Sequence, residues 1–292
     1  MSAMEIELDE QGMSENEQGL ASKVAFPYKL VKCRHGLMLA NTMDFYIGNG
    51  LIKYGEYSEL EFVVLSQLIN GSGAVVEVGA NIGAITLGLA RRAAEFGQTV
   101  YAYEPQPFIF QNLNANLALN ALANVRAYPL ACGASNAELY FRAPDYMQEN
   151  NFGSVSLRME GDARDQRVAC VTLDAHLAQV QVALIKLDVE GFELEVLKGS
   201  QQLIQRCRPV IYFENDRVHL SESLICWVQA QGYRLWWHTP PLFNPNNFND
   251  YPENLYPFIS SFNMIALPEE SNISMSGFVE AKDPAYHPLK TE

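Results

Sequence analysis

The stretch Ala74-Val75-Val76-Glu77-Val78-Gly79-Ala80-Asn81-Ile82-Gly83 limits the fold of this chain more than any other. A short apolar run ends in glycine, and Ala84 to Arg92 then reads as a helix. That succession describes a buried parallel strand, a tight turn, and a helix N-terminus aimed at a ligand. Gly79 can take backbone angles closed to other residues and lets a ligand approach the main chain. Gly83 lets the first helical turn pack near the strand. Twenty-one residues after Gly83, a second apolar run, Thr99 to Tyr103, ends in Glu104. An acid at the tip of the second strand is placed to hold two ribose hydroxyls, so the stretch implies a nucleoside cofactor.

The spacing also selects among cofactors. A dinucleotide site wants G-x-G-x-x-G, with backbone amides around a pyrophosphate. Here the glycines are spaced G-x-x-x-G, Glu77 stands inside the strand, and polar Asn81 occupies the turn. Glu77 would repel a pyrophosphate but would suit an ammonium group. S-adenosylmethionine (SAM) has an amine, a sulfonium cation and a ribose, and no phosphate. A strand-turn-helix with no ligand at all is the alternative at this point.

Three blocks together resemble a family. They are Val76 to Gly83, Tyr103-Glu104-Pro105, and Ile185-Lys186-Leu187-Asp188-Val189-Glu190-Gly191-Phe192-Glu193 followed by Val196-Leu197-Lys198-Gly199. The chain is similar in these to the FkbM-type SAM-dependent methyltransferases, from about Gly36 to about Pro268, and Tyr54 to Glu59 fits as well. The first block marks class I methyltransferases generally; the Lys-x-Asp-x-Glu-Gly block narrows the resemblance. Many members have Asp where this chain has Glu77, with the charge kept. The resemblance implies SAM as cofactor, O-methylation of sugars or polyketide-type metabolites, and a Tyr54–Tyr57 turn beside the methionine end. Tyr57 would there face the sulfonium by cation–π attraction.

Residues 1–22 are polar and acidic without periodicity and read as a disordered tail; residues 271–292 read the same way. Between them, 23–270 form a single domain, with a lid or edge and a helix in 23–70 and a Rossmann-like core in 71–270. Short runs in Val24 to Ile47 suggest small strands. Ser58-Glu59-Leu60-Glu61 reads as a capping box opening a helix that Asn70-Gly71 ends. Strands are expected at 74–79, 99–104, 125–130, 182–188 and 209–214, with helices at 83–95, 107–119, 192–205 and 219–231. The alternation implies an α/β, mostly parallel sheet with right-handed crossovers. Segments 233–237 and 260–267 would form its antiparallel edge, and a β segment is inserted at 134–173, with strands at Glu138–Arg142 and Arg167–Leu173. The insertion and the aromatic, proline-rich segment 238–259 are irregular enough to be walls of an acceptor pocket. Asn151, Ser154, Glu214, His238 and Phe243 are the candidate substrate residues.

Composition narrows the partners. Acids outnumber bases 34 to 20, giving a net charge of −14, with six acids in the first 17 residues. This argues against broad nucleic-acid or anionic-membrane binding. The five cysteines (Cys33, Cys132, Cys170, Cys207, Cys226) form no metal spacing, so no metal site is expected and reduced thiols fit a cytoplasmic location. No secretory signal layout and no run long enough to cross a bilayer stands in the sequence. The partner is then a small-molecule or glycan hydroxyl acceptor, and a homo-oligomer is left open.

Methyl transfer needs alignment, and a hydroxyl acceptor must also lose a proton to a positioned base. Candidate cofactor residues are Tyr57, Glu77, Gly79, Asn81, Gly83, Glu104, Cys132 and Asp188, with the Ala131-Cys132-Gly133 turn flanking the adenine. Candidate catalytic residues are Asp188 and Glu190, which would point the same way from an extended backbone, with Lys186 orienting them. In the plainer alternative Lys186 neutralises Asp188 and Glu190 caps the next helix. Two rival functions are an NAD-dependent oxidoreductase or epimerase and a silent cofactor-fold binding module. The first lacks a third glycine and a Tyr-x-x-x-Lys pair; the second does not explain the intact acids.

Overall fold

The computed structural model describes residues 25–290; the expected tail at 1–22 lies outside the described residues. The chain opens with a hairpin, β1 (Tyr28–Cys33) and β2 (Gly36–Asn41), then α1 (Ile47–Tyr54) and α2 (Glu59–Leu68). The core begins with β3 (Ala74–Val78), α3 (Thr86–Ala94), β4 (Val100–Tyr103), α4 (Pro107–Leu119) and β5 (Val125–Tyr128). An inserted small sheet follows, of β6 (Ala131–Cys132), β7 (Ala137–Phe141) and β8 (Gln166–Val171), with the turn α5 (Leu173–His176). The core resumes with β9 (Val182–Leu187), α6 (Glu193–Lys198), α7 (Gln201–Cys207), β10 (Val210–Glu214) and α8 (Val218–Ala230). The last strands are β11 (Tyr233–His238), β12 (Asn263–Pro268) and β13 (Val279–Glu280).

The main sheet runs β13-β11-β12-β10-β9-β3-β4-β5. Strands β10, β9, β3, β4 and β5 are mutually parallel, and β12 runs antiparallel to both β10 and β11. From β3 the chain builds outward through β4 and β5, then crosses back to β9 and β10. The strand order therefore reverses between β3 and β9, where open α/β sheets bind ligands beyond their carboxyl ends. Pro107 at the start of α4 sits where its missing N–H costs no helical bond.

Asparagines on α4 close one edge of the hairpin. Asn116 and Asn120, the latter the C-cap of α4, lie on one side of the helix and accept from the Leu39 and Leu37 amides. Asn112 and Asn120 donate back to the Leu39 and Leu37 carbonyls. The exposed edge of β2 is thereby satisfied without another strand.

Four expectations need correction. The helix expected over 192–205 is two helices, because a Cβ at Gly199 would lie 1.9 Å from the Gly133 carbonyl oxygen and Ser200 Oγ turns back to Val196 O. Ser58 is not a cap: its φ is 51° and its side chain caps nothing, while Glu61 bonds Ser261 Oγ at 2.6 Å. The antiparallel pair is not the edge, since β12 is inserted between β10 and β11 and β13 forms the edge. Nor is the stretch after Glu270 a free tail. It adds β13 beside β11, buries Ala281 and His287, and bonds His287 Nε2 to the Asn215 carbonyl.

Candidate functional site

At the reversal point the main chains of β3 and β9 nearly touch. Gly79 has φ 86°, and a Cβ there would lie 1.8 Å from the Asp188 carbonyl oxygen. Only glycine fits, and the cleft that opens beside it has about 970 Å³ of empty space, its solvent-facing mouth included. Glu104, one residue past β4, lines the cleft with its oxygens fixed by the backbone: Oε2 accepts from Asn81 N at 3.0 Å and Oε1 from Gln106 N at 2.9 Å. Burial raises its carboxyl to about 7 against the pull of those two amides.

The structure brings eight of the expected residues to this cleft: Tyr57, Gly79, Asn81, Glu104, Asn151, Asp188, Glu190 and Glu214. Asp188 and Glu190 diverge in their partners. Asp188 Oδ2 lies 3.3 Å from Lys186 Nζ, whereas Glu190, at φ 56°, pairs with Arg217 at 2.5 Å. The left-handed backbone at Glu190 ends the extended run, so Lys186 orients Asp188 and not Glu190. The cap that was considered for Glu190 is made by Glu193, whose Oε1 accepts from the Val189 and Gly191 amides. Burial and the neighbouring Asp188 raise Glu190 to about 7, with Arg217 opposing.

Seven expected residues do not line the cleft. Glu77 is 1% exposed and spends its carboxylate on Thr86 Oγ1 at 2.6 Å and on Lys186 at 3.6 Å. Lys186, 2% exposed, sits behind the lining. Burial disfavours its charge, but Asp188, Glu77 and Glu61 outweigh that and hold it protonated. Gly83 serves packing, since a Cβ would press on Leu113 at 2.9 Å. Cys132 is buried in the apolar core. Ser154 is exposed and bonds the Asn151 carbonyl. His238 bonds Tyr212 Oη at 2.9 Å and opens on a separate surface hollow, with burial lowering it to about 4.

Phe243 packs on Tyr54, as do Tyr251 and Tyr256, so the aromatic segment is mainly a strap against α1. Glu56 ties it down, accepting from Arg34, Asn244 and the Phe248 amide. The insertion does reach the cleft, through Asn151, Gly153, Val155 and Leu157.

Sequence reasoning missed Glu61, Gln106, Ser261 and Asn263 on the lining, and Arg217 behind Glu190. Glu61 was legible as a buried acid one turn into an apolar helix; Asn263 carries no local signal, because only strand pairing brings it to Glu214. The lining holds five carboxylates, of Glu61, Glu104, Asp188, Glu190 and Glu214, and no Lys, Arg or His among the described residues. Such a wall favours a cationic ligand and opposes a pyrophosphate.

The family model described as "Methyltransferase FkbM domain" matches residues 77–235. A protein named "Methyltransferase 1" from Beauveria bassiana (strain ARSEF 2860) is 27% identical over 144 residues, 43% of this chain and 57% of that protein. "Methyltransferase sdnD" of Sordaria araneosa is 31% identical over 162 residues, 44% of this chain and 60% of that protein. The matches thus span about three-fifths of the length of these relatives. A crystal structure of "Methyltransferase FkbM" from Methylobacillus flagellatus KT shares 17% identity and a TM-score of 0.43, over 67% of this chain and 43% of that one. M. jannaschii TYW2, solved in complex with AdoMet, shares 14% identity and a TM-score of 0.40, over 83% of this chain and 86% of that one. The family match covers more than half of the 292 residues, runs through the reversal point and includes Glu104, Asp188, Glu190 and Glu214, so the chain belongs to the FkbM methyltransferase family.

Proposed function

We propose that the chain is a SAM-dependent O-methyltransferase acting on a hydroxyl of a small-molecule or glycan acceptor. The observation that carries this reading is the lining itself: five carboxylates, no cation, and a main-chain approach at Gly79 that only glycine permits. An amine and a sulfonium fit that wall; a dinucleotide's phosphates do not. Glu104, held by two backbone amides beside Gly79, is the acid for the ribose hydroxyls. Tyr57 is the aromatic face for the sulfonium. With Glu77 turned to Thr86 and Lys186, the carboxylates left for the ligand amine are Glu61 and Asp188.

Bound SAM supplies a methyl on a good leaving group, so little covalent chemistry is asked of the protein. The chain's residues must orient the acceptor and take its proton as the oxygen–carbon bond forms. Glu190 suits that role: it lines the cleft, Arg217 fixes its rotamer, and a carboxyl near 7 matches a base working near neutrality. Asp188 orients, with Lys186 behind it.

Calorimetric titration with SAM, with its demethylated product S-adenosylhomocysteine (SAH) and with NAD tests the cofactor. Micromolar binding of SAM and SAH with none of NAD is expected. NAD binding more tightly than SAH would sink the reading, and binding of neither would favour a silent module.

A further inference from the structure

Two buried polar atoms on the cleft wall have no partner. Asn263 is 3% exposed and its Nδ2 has no partner within 3.5 Å, with Glu61 and Tyr212 near enough for its amide to pull weakly on both; Oε2 of Glu214 is unpaired. Glu214 and Asn263 are register partners across β10 and β12, and both line the cleft. Their neighbour Ser261 is already committed to Glu61. Buried donors and acceptors in folded proteins are nearly always paired, so an adjacent unpaired donor and acceptor at an opening describe a site that a ligand completes.

We propose that Glu214 and Asn263 form a hydroxyl-anchoring subsite that selects uncharged over anionic acceptors. One hydroxyl is held there while another is presented to Glu190. The inference rests on the methyltransferase reading above and adds the residues that hold its acceptor. A hydroxyl donates and accepts through one atom, which is what this pair asks for: its oxygen takes the Asn263 N–H and its proton meets Glu214 Oε2. A carboxylate or phosphate ester only accepts. It would also face Asp188, Glu190 and Glu214 with no basic side chain on the lining to offset them. Burial, with Asp188 and Asp216 nearby, holds the Glu214 carboxyl well above the usual range. Protonated, it still offers a donor and an acceptor, so the match to a hydroxyl survives either state.

The test is saturation-transfer NMR on the full chain, with and without SAH. The neutral probes are methyl glucopyranoside, methyl xylopyranoside and myo-inositol; the anionic ones are glucuronate and glucose 6-phosphate. At least one neutral polyol should bind, with the anionic probes at least tenfold weaker. Glu214→Leu and Asn263→Leu should each weaken polyol binding at least tenfold and leave SAH affinity within twofold. Their melting temperatures should not fall, because each change removes an unpaired buried polar group; a purely structural pair would melt lower. Asn263→Ala, which adds no bulk, makes the same comparison if a leucine variant folds poorly. Absence of binding by every neutral polyol, equal binding of the anionic probes, or loss of SAH affinity and stability together would overturn the proposal. Failure of the parent chain to bind SAH would instead overturn the methyltransferase reading, and the polyol data without SAH would still judge the subsite.

Discussion

The two faces of the central sheet treat the same strands differently. On the face under α6, α7 and α8, the side chains stay apolar to the carboxyl end, finishing with Val78, Leu187 and Phe213. On the face under α2 and α3, they begin apolar with Val75, Leu184 and Tyr212 and finish with Glu77, Lys186 and Glu214. Alternation along a strand is the cause: one residue selects the face, and only the last position on one face is charged. One face is therefore a core throughout, while the other is a core with a polar rim. The cleft lies at that rim, and α2 brings Glu61 to it from above.

The sharpest way to break this contrast is at the rim's proposed base. Glu190→Gln keeps volume and hydrogen bonding but removes the charge. Turnover should fall about 10²–10⁴-fold, the usual contribution of a general base. SAM affinity and melting temperature should change little. A variant nearly as active as the parent would move the base to Asp188.

Next in size is a matched pair, one change on each face. Phe213→Ala opens a cavity in the apolar face and should cost about 3–5 kcal/mol of stability. Lys186→Met leaves Glu77 and Asp188 without their cation, and breaking such a buried ion group should also cost about 3–5 kcal/mol. The two should part in binding: at temperatures where both are folded, only Lys186→Met should weaken SAM. Equal effects on SAM in denaturation-controlled titrations would mean that the faces are not functionally distinct.

What the sequence showed follows from the same contrast. The strands from Ala74, Thr99 and Val182 were legible because apolar runs between glycines and acids have few other uses. Gly79, Glu104, Asp188 and Glu190 were legible because each closes such a run. Asn263 and Ser261 were not, since only the insertion of β12 beside β10 brings them to the cleft. Glu77 was misplaced because a motif gives a residue's position along a strand, while the reach of its carboxylate depends on Thr86 and Lys186. Phe243 was misread for a similar reason: aromatic content shows that a segment is packed, and the packing here is against Tyr54.

A smaller effect is expected at the ribose acid. Glu104→Ala should weaken SAM by about 1.5–3 kcal/mol, the scale for hydrogen bonds to a charged group. Its loss should be nearly equal for SAM and SAH, which share the ribose. An unchanged affinity for both would remove Glu104 from the ligand's contacts and leave it as a turn-forming acid for Asn81 and Gln106.

The smallest effect separates the faces by pH. Burial raises Glu104 to about 7 from an ordinary value of 4.5, so between those limits the folded chain binds more protons than the unfolded chain. Its contribution to stability is then fully present below about pH 4.5 and is lost as pH rises through about 7, with a slope of at most about 1.4 kcal/mol per pH unit. Glu104→Gln abolishes that titration. In paired denaturant titrations from pH 5 to 8, the stability of the parent relative to this variant should decline up to about pH 7 and level off above it. Phe213→Ala, which removes only apolar contacts, should lose the same amount at every pH. Binding the SAM cation favours the ionised carboxyls, so SAM affinity should rise through about pH 7 more steeply than that of SAH, which lacks the sulfonium charge. A parent-to-variant difference that is flat with pH would mean that Glu104 is ionised throughout, and that the rim is already charged before any ligand arrives.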